Sequence, residues 1–326
     1  MESLPYHLTP YKGRRPIVEN IKGVLVNIIC GLVPSKKYRE LIREYFLAYR
    51  ICLDHLPLPV KKRLQPINLA FGFDSGLARQ TGVAIASLLA NSKNRCSYNI
   101  YCVIDDSVTL ETQNTLTNLV KTLDQDSSLT FLEANRDFDR SLRGSWSIGT
   151  YYRLMLPALL PELDNIIYAD GDAIFCRDLL GLADLDMGES LIAGAPEKAG
   201  GYINAGFLVL NLAQMRKEKI YDVWLETSRK VQYNCPDQDL LNITCRNRII
   251  YLPIKYNFRH RRYYFLYRRG LIHPFDHHDL KYNPVMLHYF GPLKPWHSIR
   301  FYLDDLWWEY ARLTPFYEEL LANLRD

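Results

Sequence analysis

The sequence predicts an α/β fold built on a doubly wound, mainly parallel sheet. Three observations lead there: strand-length apolar runs recur along the chain, polar turns and helical segments follow them, and no internal repeat or low-complexity stretch interrupts the alternation. At 326 residues with 48% hydrophobic content, the chain can bury one large core, or a core with a smaller attachment.

Residues 1–66 read as a small helical extension ahead of the main domain; they are basic and punctuated by Pro5, Pro10, Pro16, Pro34, Pro57, Pro59 and Pro66. Within them Ser35 is placed to cap a helix, and Tyr38, Leu41, Ile42, Tyr45 and Tyr49 recur at helical spacing beside Lys36, Lys37, Arg39 and Arg43. Such a basic amphipathic helix either lies on an anionic membrane surface or packs on the domain with its charges in water. The main domain spans 67–300 and opens with a strand over Ile67–Phe73, the turn Asp74-Ser75-Gly76 and a buried helix from Thr81 to Leu89. Tyr98–Ile104 is the next strand, Asp105-Asp106-Ser107 opens a helix through about Leu123, and Leu129–Leu132 is a third strand. Residues 301–326 form a C-terminal helical tail. Sheets of this kind gather ligands at the carboxyl ends of their strands, but no G-x-G-x-x-G follows any of these strands, so a dinucleotide fingerprint is missing.

Charge and cysteine usage narrow the function classes. With 40 Lys+Arg against 36 Asp+Glu, the formal charge of +4 is too mild to predict nucleic-acid binding. The seven cysteines, at 30, 52, 96, 102, 176, 235 and 245, have no paired metal-type spacing and fit a reducing compartment. The longest apolar candidate, Val24–Val33, is interrupted by Asn27 and Gly31 and falls short of the roughly 18 to 20 residues a spanning helix needs. Met1–Pro5 does not open a secretory signal. The expected location is cytoplasmic, peripheral on the inner membrane face if the extension binds lipid.

The most informative stretch is Asn165–Phe175, where a buried strand runs into Asp170-Gly171-Asp172. Alternate residues of an extended chain share a side, so Asp170 and Asp172 can converge on one hard cation, with Gly171 letting the backbone come close. Four other D-x-D pairs occur, at 124/126, 137/139, 184/186 and 237/239, but only the 170 pair directly follows an apolar run. Ionised carboxylates at the end of a buried strand are costly unless paired or metal-bound. The bland alternative is a pair of turn aspartates accepting backbone N–H bonds. A second constellation is His288-Tyr289-Phe290-Gly291-Pro292-Leu293-Lys294-Pro295-Trp296. There an imidazole can complete a metal site, Gly291 allows close approach to phosphate, and Lys294 offers a point charge. Two carboxylates and a histidine suit Mn²⁺ somewhat better than Mg²⁺. Taken alone, His288 reads equally as a packed histidine among aromatic residues.

From about Ile67 to Trp296 these motifs resemble glycosyltransferase family 8, the retaining enzymes typified by bacterial lipopolysaccharide and lipooligosaccharide galactosyl- and glucosyltransferases. The resemblance rests on the turn at Asp74, Ser147–Leu154, Asp170-Gly171-Asp172, Tyr202-Ile203-Asn204-Ala205-Gly206, Asp237-Gln238-Asp239-Leu240-Leu241-Asn242 and the H-x-x-G-x-x-K-P-W signature from His288. It implies a GT-A type, Rossmann-like nucleotide-binding domain and metal-dependent hexosyl transfer from a UDP-hexose to a glycan or lipid-linked glycan acceptor of a bacterial surface polysaccharide. On that resemblance Asp170, Asp172 and His288 are the metal ligands. Asp74 and Gly76 meet the uracil end of the donor, and Arg153, Gly171, Gly291 and Lys294 its phosphates and sugar. Asn204, Ala205 and Gly206 form the donor-sugar loop, with Asp237 and Gln238 facing the reacting sugar. An amide is a poor nucleophile, so Gln238 is expected to position rather than to form a covalent bond. No strong general base stands out, which suits same-face transfer in which the departing phosphate takes the acceptor proton.

Each residue also has a plain structural reading: Arg153 as partner of a surface acid, Asn204 and Gly206 as turn formers, Asp237 as an N-cap. One departure concerns the base, because the family's stacking tyrosine after the uracil-binding aspartate is matched by Leu77. Another is the run Phe258–Arg269, with Arg259, His260, Arg261 and Arg262, which is either an acceptor patch or a solvated charge run. The competing functions are a non-catalytic UDP-sugar or glycan-binding protein of the same fold, and a sugar-nucleotide hydrolase or nucleotidyltransferase.

Overall fold

The computed structural model describes residues 63–141, 147–197, 201–259, 284–298 and 304–324, with Leu32 and Pro34 as isolated positions. The amphipathic helix expected after Ser35, and the basic run from His260 to Arg269, lie outside the described residues. Among those described, no helix is long and apolar enough to cross a membrane.

The first half follows the expected alternation. Strand β1 (Ile67–Phe73) leads to α1 (Ala78–Ser92), β2 (Tyr98–Ile104) to α2 (Leu110–Leu123), and then comes β3 (Ser128–Glu133). Helix α2 starts later than the acidic turn suggested, because the Asp105 carboxylate accepts the Ser107 N–H (3.0 Å) and holds a turn. The actual cap is Thr109, whose Oγ1 accepts from the Thr112 N–H at 3.2 Å. A 3₁₀ turn at Ile148–Tyr151 then feeds α3 (Tyr152–Leu159).

In the second half β4 (Asn165–Ala169), β6 (Ile192–Pro196), β7 (Ile203–Asn211) and β8 (Ile249–Tyr251) complete a seven-stranded sheet of order β3-β2-β1-β4-β7-β6-β8. Six strands run parallel to one another, and β7 is antiparallel to both β4 and β6. The reversal has a simple cause: only residues 197–202 separate β6 from β7, and a parallel return needs a crossover of about a dozen residues. Helices α4 (Leu212–Lys217), α5 (Ile220–Lys230) and α6 (Pro236–Thr244) follow β7. A second, three-stranded sheet of order β5-β10-β9 is made by β5 (Ala173–Phe175), β9 (Phe258–Arg259) and β10 (Met286–His288).

Both faces of the large sheet are covered, as strand residues of alternating direction require. Leu69, Phe71, Ile167, Phe207 and Val209 face one core with α1, α2, α7 (Asp304–Ala311) and α8 (Tyr317–Ala322). Ala70, Ile166, Tyr168, Leu208 and Leu210 face the other with α3 to α6. Helices α7 and α8 therefore share the main core. Buried Trp308 donates from Nε1 to the Pro295 carbonyl (3.0 Å), and Trp307 lies 5.1 Å from the Trp296 ring. Trp308→Ala is expected to cost about 3–5 kcal/mol of stability in urea unfolding, with activity falling alongside because the 291–296 turn loses its backing. Cys96, Cys102, Cys176 and Cys245 are buried free thiols.

Candidate active site

The D-G-D motif lies at the junction of the two sheets. On one side Ala169 pairs with Phe207, and the Asp170 N–H donates to the Gly206 carbonyl at 2.9 Å. On the other, β5 starts immediately after Asp172 and pairs antiparallel with β10, which sets His288 opposite Ala173; the Tyr289 N–H closes the pair on the Asp172 carbonyl (2.9 Å). Two segments more than a hundred residues apart thus place Asp170, Asp172 and His288 with one ligand atom each, all within 4.8 Å of one another.

In the other D-x-D pairs, Asp237 excepted, the aspartates that make contacts serve turns, hydroxyls and an ion pair. Asp124 accepts from Asp126 N–H and Ser127, Asp137 accepts from Tyr221, Asp184 pairs with Arg63 and Asp186 accepts the Gly188 N–H. Asp239 holds the Cys235 N–H and the Tyr202 hydroxyl at the first turn of α6.

The hydrogen on His288 Nδ1 can be placed from a chain of amides. The Gly206 N–H donates to Asn204 Oδ1 (3.0 Å), so the Asn257 Nδ2 that meets the same oxygen at 2.7 Å is a donor. Asn257 Oδ1 therefore faces His288 Nδ1 at 2.9 Å, and an amide oxygen accepts only, which puts a proton on Nδ1. In the neutral ring Nε2 then carries a lone pair, and it lies 3.0 Å from Asp172 Oδ1, a buried oxygen with no hydrogen-bond partner. Two acceptors aimed at one another call for a cation between them. Asp170 Oδ2 is the third oxygen, 3.8 Å from Nε2. The donor set fits a divalent metal, with hard oxygens and one imidazole.

Asp172 is held well below the usual carboxylate range: burial pushes it up, but His288, when its ring is protonated, and Lys294 outweigh this. Lys294 Nζ bonds Asp172 Oδ2 and the Tyr289 carbonyl, the latter at 2.9 Å, with the amine 5.6 Å from the Trp296 ring centre. Gly291 sits at φ +87°, where a side chain would strain the turn that brings Lys294 back.

Arg153, at the first turn of α3, is 7% exposed and lies beneath the acids rather than on the surface. It pairs with Asp170 (2.8 Å) and Asp237 (3.0 Å), donates to the Ala205 carbonyl, and stacks over Tyr168 at 4.6 Å. Tyr168 also donates to Asp170 Oδ1 (3.0 Å). Burial pushes Asp237 up, against the pull of Arg153 and with a further push from Asp170. Helix α6 is docked on β7 by Asn242, which accepts the Ile203 N–H at 2.8 Å and donates to the Ile203 carbonyl at 2.9 Å. This places Gln238 against the donor-loop residues: its Oε1 accepts from Asn204 Nδ2 (2.9 Å) and the Ala205 N–H (3.1 Å).

At the other flank the Asp74 carboxylate caps its own turn, accepting the Gly76 N–H at 3.0 Å, while Ser107 Oγ accepts from Ser75 N–H (3.0 Å). The start of α1 then abuts the D-G-D turn. A Cβ on Gly171 would stand 2.1 Å from Thr81 Oγ1 and 3.4 Å from Leu77 Cδ2, so glycine is required there by crowding from α1. Sequence reasoning missed Asn257 and Glu197. Asn257 follows Tyr256 in a segment without a motif, and Glu197 was one acid among many; both acquire meaning only through partners on other elements.

A mostly parallel sheet with an Asp-Asp-His cluster at its carboxyl edge fits a glycosyltransferase of the GT-A fold. It belongs to Glycosyl transferase family 8, whose model matches residues 68–300. It is 27% identical over 255 residues to a lipopolysaccharide 1,3-galactosyltransferase of Salmonella typhimurium, covering 71% of this chain and 73% of that one. It is 25% identical over 262 residues to a lipopolysaccharide 1,2-glucosyltransferase of Escherichia coli, covering 72% and 74%. Among solved structures, the galactosyltransferase LgtC in complex with donor and acceptor sugar analogues superposes with a TM-score of 0.60 at 24% identity, over 80% of this chain and 97% of LgtC, a likeness of fold.

Proposed function

We propose that the protein is a metal-dependent retaining hexosyltransferase that moves galactose or glucose from a UDP-sugar to a glycan acceptor of bacterial lipopolysaccharide or a related surface polysaccharide. The observation that carries this reading is the facing of His288 Nε2 and the partnerless Asp172 Oδ1 at the carboxyl edge of the sheet, inside a family of glycosyltransferases. Two relatives named for lipopolysaccharide hexosyl transfer support the substrate class.

Asp170, Asp172 and His288 would hold Mn²⁺, with Mg²⁺ as the substitute. A bound cation would supply Lewis-acid charge that offsets the negative charge gathering on UDP as it leaves. The chain's own residues do the rest. Lys294, which rests on Asp172, adds a mobile positive charge beside the leaving diphosphate. Arg153 pairs with both Asp170 and Asp237, holds their carboxylates in a fixed orientation, and acts on the donor through them. Asp74 and Gly76 border the base, and Gly291 leaves room for phosphate. Asn204, Ala205 and Gly206 shape the sugar end, where Asp237 binds hydroxyls and Gln238 aligns the ring. Both lone pairs of Gln238 Oε1 are already engaged, which supports alignment rather than attack. The departing phosphate accepts the acceptor hydroxyl's proton, and the new bond forms on the face it vacates.

The test is UDP release from a panel of UDP-sugars with Mn²⁺, Mg²⁺ or EDTA, with and without a lipopolysaccharide-core acceptor. Release with one hexose donor, raised by the acceptor and abolished by EDTA, is expected. Binding of UDP-sugar without release under any condition would favour a non-catalytic binder, and release indifferent to acceptor would favour a hydrolase.

A further inference from the structure

Arg259, which ends β9 just before residues 260–283, belongs by sequence to the basic run read as a site for the acceptor. Its geometry points elsewhere. Its Nη1 bonds Glu197 Oε1 and its Nη2 donates to the Glu197 carbonyl at 3.2 Å, with side chains only 10% and 15% exposed. The guanidinium also lies 5.0 Å over the Phe290 ring. The second oxygen of the same carboxylate, Glu197 Oε2, accepts from Gln238 Nε2 (3.0 Å) and Asn204 Nδ2 (3.3 Å). Burial pushes Glu197 up, but Arg259 and the amides hold it below the ordinary glutamate range, so it stays ionised.

This carboxylate settles which way the Gln238 amide faces. With Nε2 turned to Glu197, Oε1 faces the Ala205 N–H and Asn204, and Asn204 in turn meets Asn257 and through it His288. We infer that Arg259 is a positioning residue for glycosyl transfer: through Glu197 it fixes the Gln238 and Asn204 amides at the sugar end of the site. The inference rests on the transferase reading for its kinetic arm alone.

Arg259→Met strands a half-buried carboxylate, while Glu197→Gln combined with Arg259→Met removes the charge and keeps an acceptor oxygen for the two amides. In the full chain kcat should fall roughly 10²-fold in Arg259→Met, the cost of a small misplacement at a reacting centre, with KM for donor and acceptor nearly unchanged. The double variant should recover most of it. A raised acceptor KM with intact kcat, or no recovery in the double variant, would overturn the proposal in favour of direct acceptor binding or a purely structural pair. The second arm needs no turnover: in ¹⁵N–¹H spectra the side-chain amides of Gln238 and Asn204 should move toward solvent-like shifts in Arg259→Met and return in the double variant. Unmoved amide signals would refute the positioning even if wild type proved inactive, a result that would count against the transferase reading alone.

Discussion

Asp172→Asn is expected to lower kcat/KM on the order of 10³-fold and to abolish measurable Mn²⁺ binding, while the folded chain keeps weak affinity for UDP. Three facts set the size. Asp172 supplies the oxygen opposite His288 Nε2, it is the acceptor for Lys294, and it is held ionised more firmly than an ordinary carboxylate. Asparagine is nearly isosteric, so the loss is one of charge. One cation ligand becomes neutral, and Lys294 loses the partner that holds it beside the leaving group. Calorimetric Mn²⁺ titration and steady-state UDP release check this together, with thermal unfolding to show that the variant is folded. Wild-type turnover in Asp172→Asn would remove the basis of the metal-dependent reading.

Gly206→Ala should be nearly as damaging to activity, and by a different route. A Cβ there would stand 2.3 Å from His288 Cε1, 2.8 Å from His288 Nδ1 and 2.8 Å from Asp170 Oδ2, closer than real contacts allow. None of these neighbours is the free end of a flexible chain: His288 is tied to Asn257, and Asp170 is bound to Tyr168 and Arg153. The cluster must spread, and displacement by a fraction of an ångström at two ligands predicts a loss of roughly 10²-fold in kcat/KM with weaker Mn²⁺ affinity. The stability cost should be smaller, about 1–3 kcal/mol, as for other overpacked sites. Metal titration, turnover and denaturant unfolding on one preparation separate the two effects. Unchanged metal affinity would show that the site tolerates the methyl group and that its geometry is looser than the contacts imply.

Much of the site was legible one segment at a time. The run 166–169 is apolar, short and buried within strand β4, so carboxylates at its end needed a partner. The same holds for β1 and β2, whose bounds coincide with the apolar runs because the sheet buries them on both faces. Arg153 was visible as a cation in a motif, but not as a residue sealed beneath two acids, since nothing near it in sequence reveals that Asp170 and Asp237 close over it.

By itself, the sequence determined the alternation of strands and helices, the D-G-D turn and the H-x-x-G-x-x-K-P-W segment with Gly291, because each follows from local polarity, spacing or backbone freedom, whereas the need for glycine at 171 and 206 comes from side chains that other elements bring against them. Only the tertiary structure decided that β7 runs backwards, that a second small sheet sets His288 beside Asp172, and that Glu197, Asn204, Gln238, Asn257 and Arg259 form one hydrogen-bonded chain. The reason is that a hydrogen bond has direction and short reach: which amide oxygen meets which N–H depends on atoms brought together from residues 34 to 62 positions apart, and local periodicity carries no record of that.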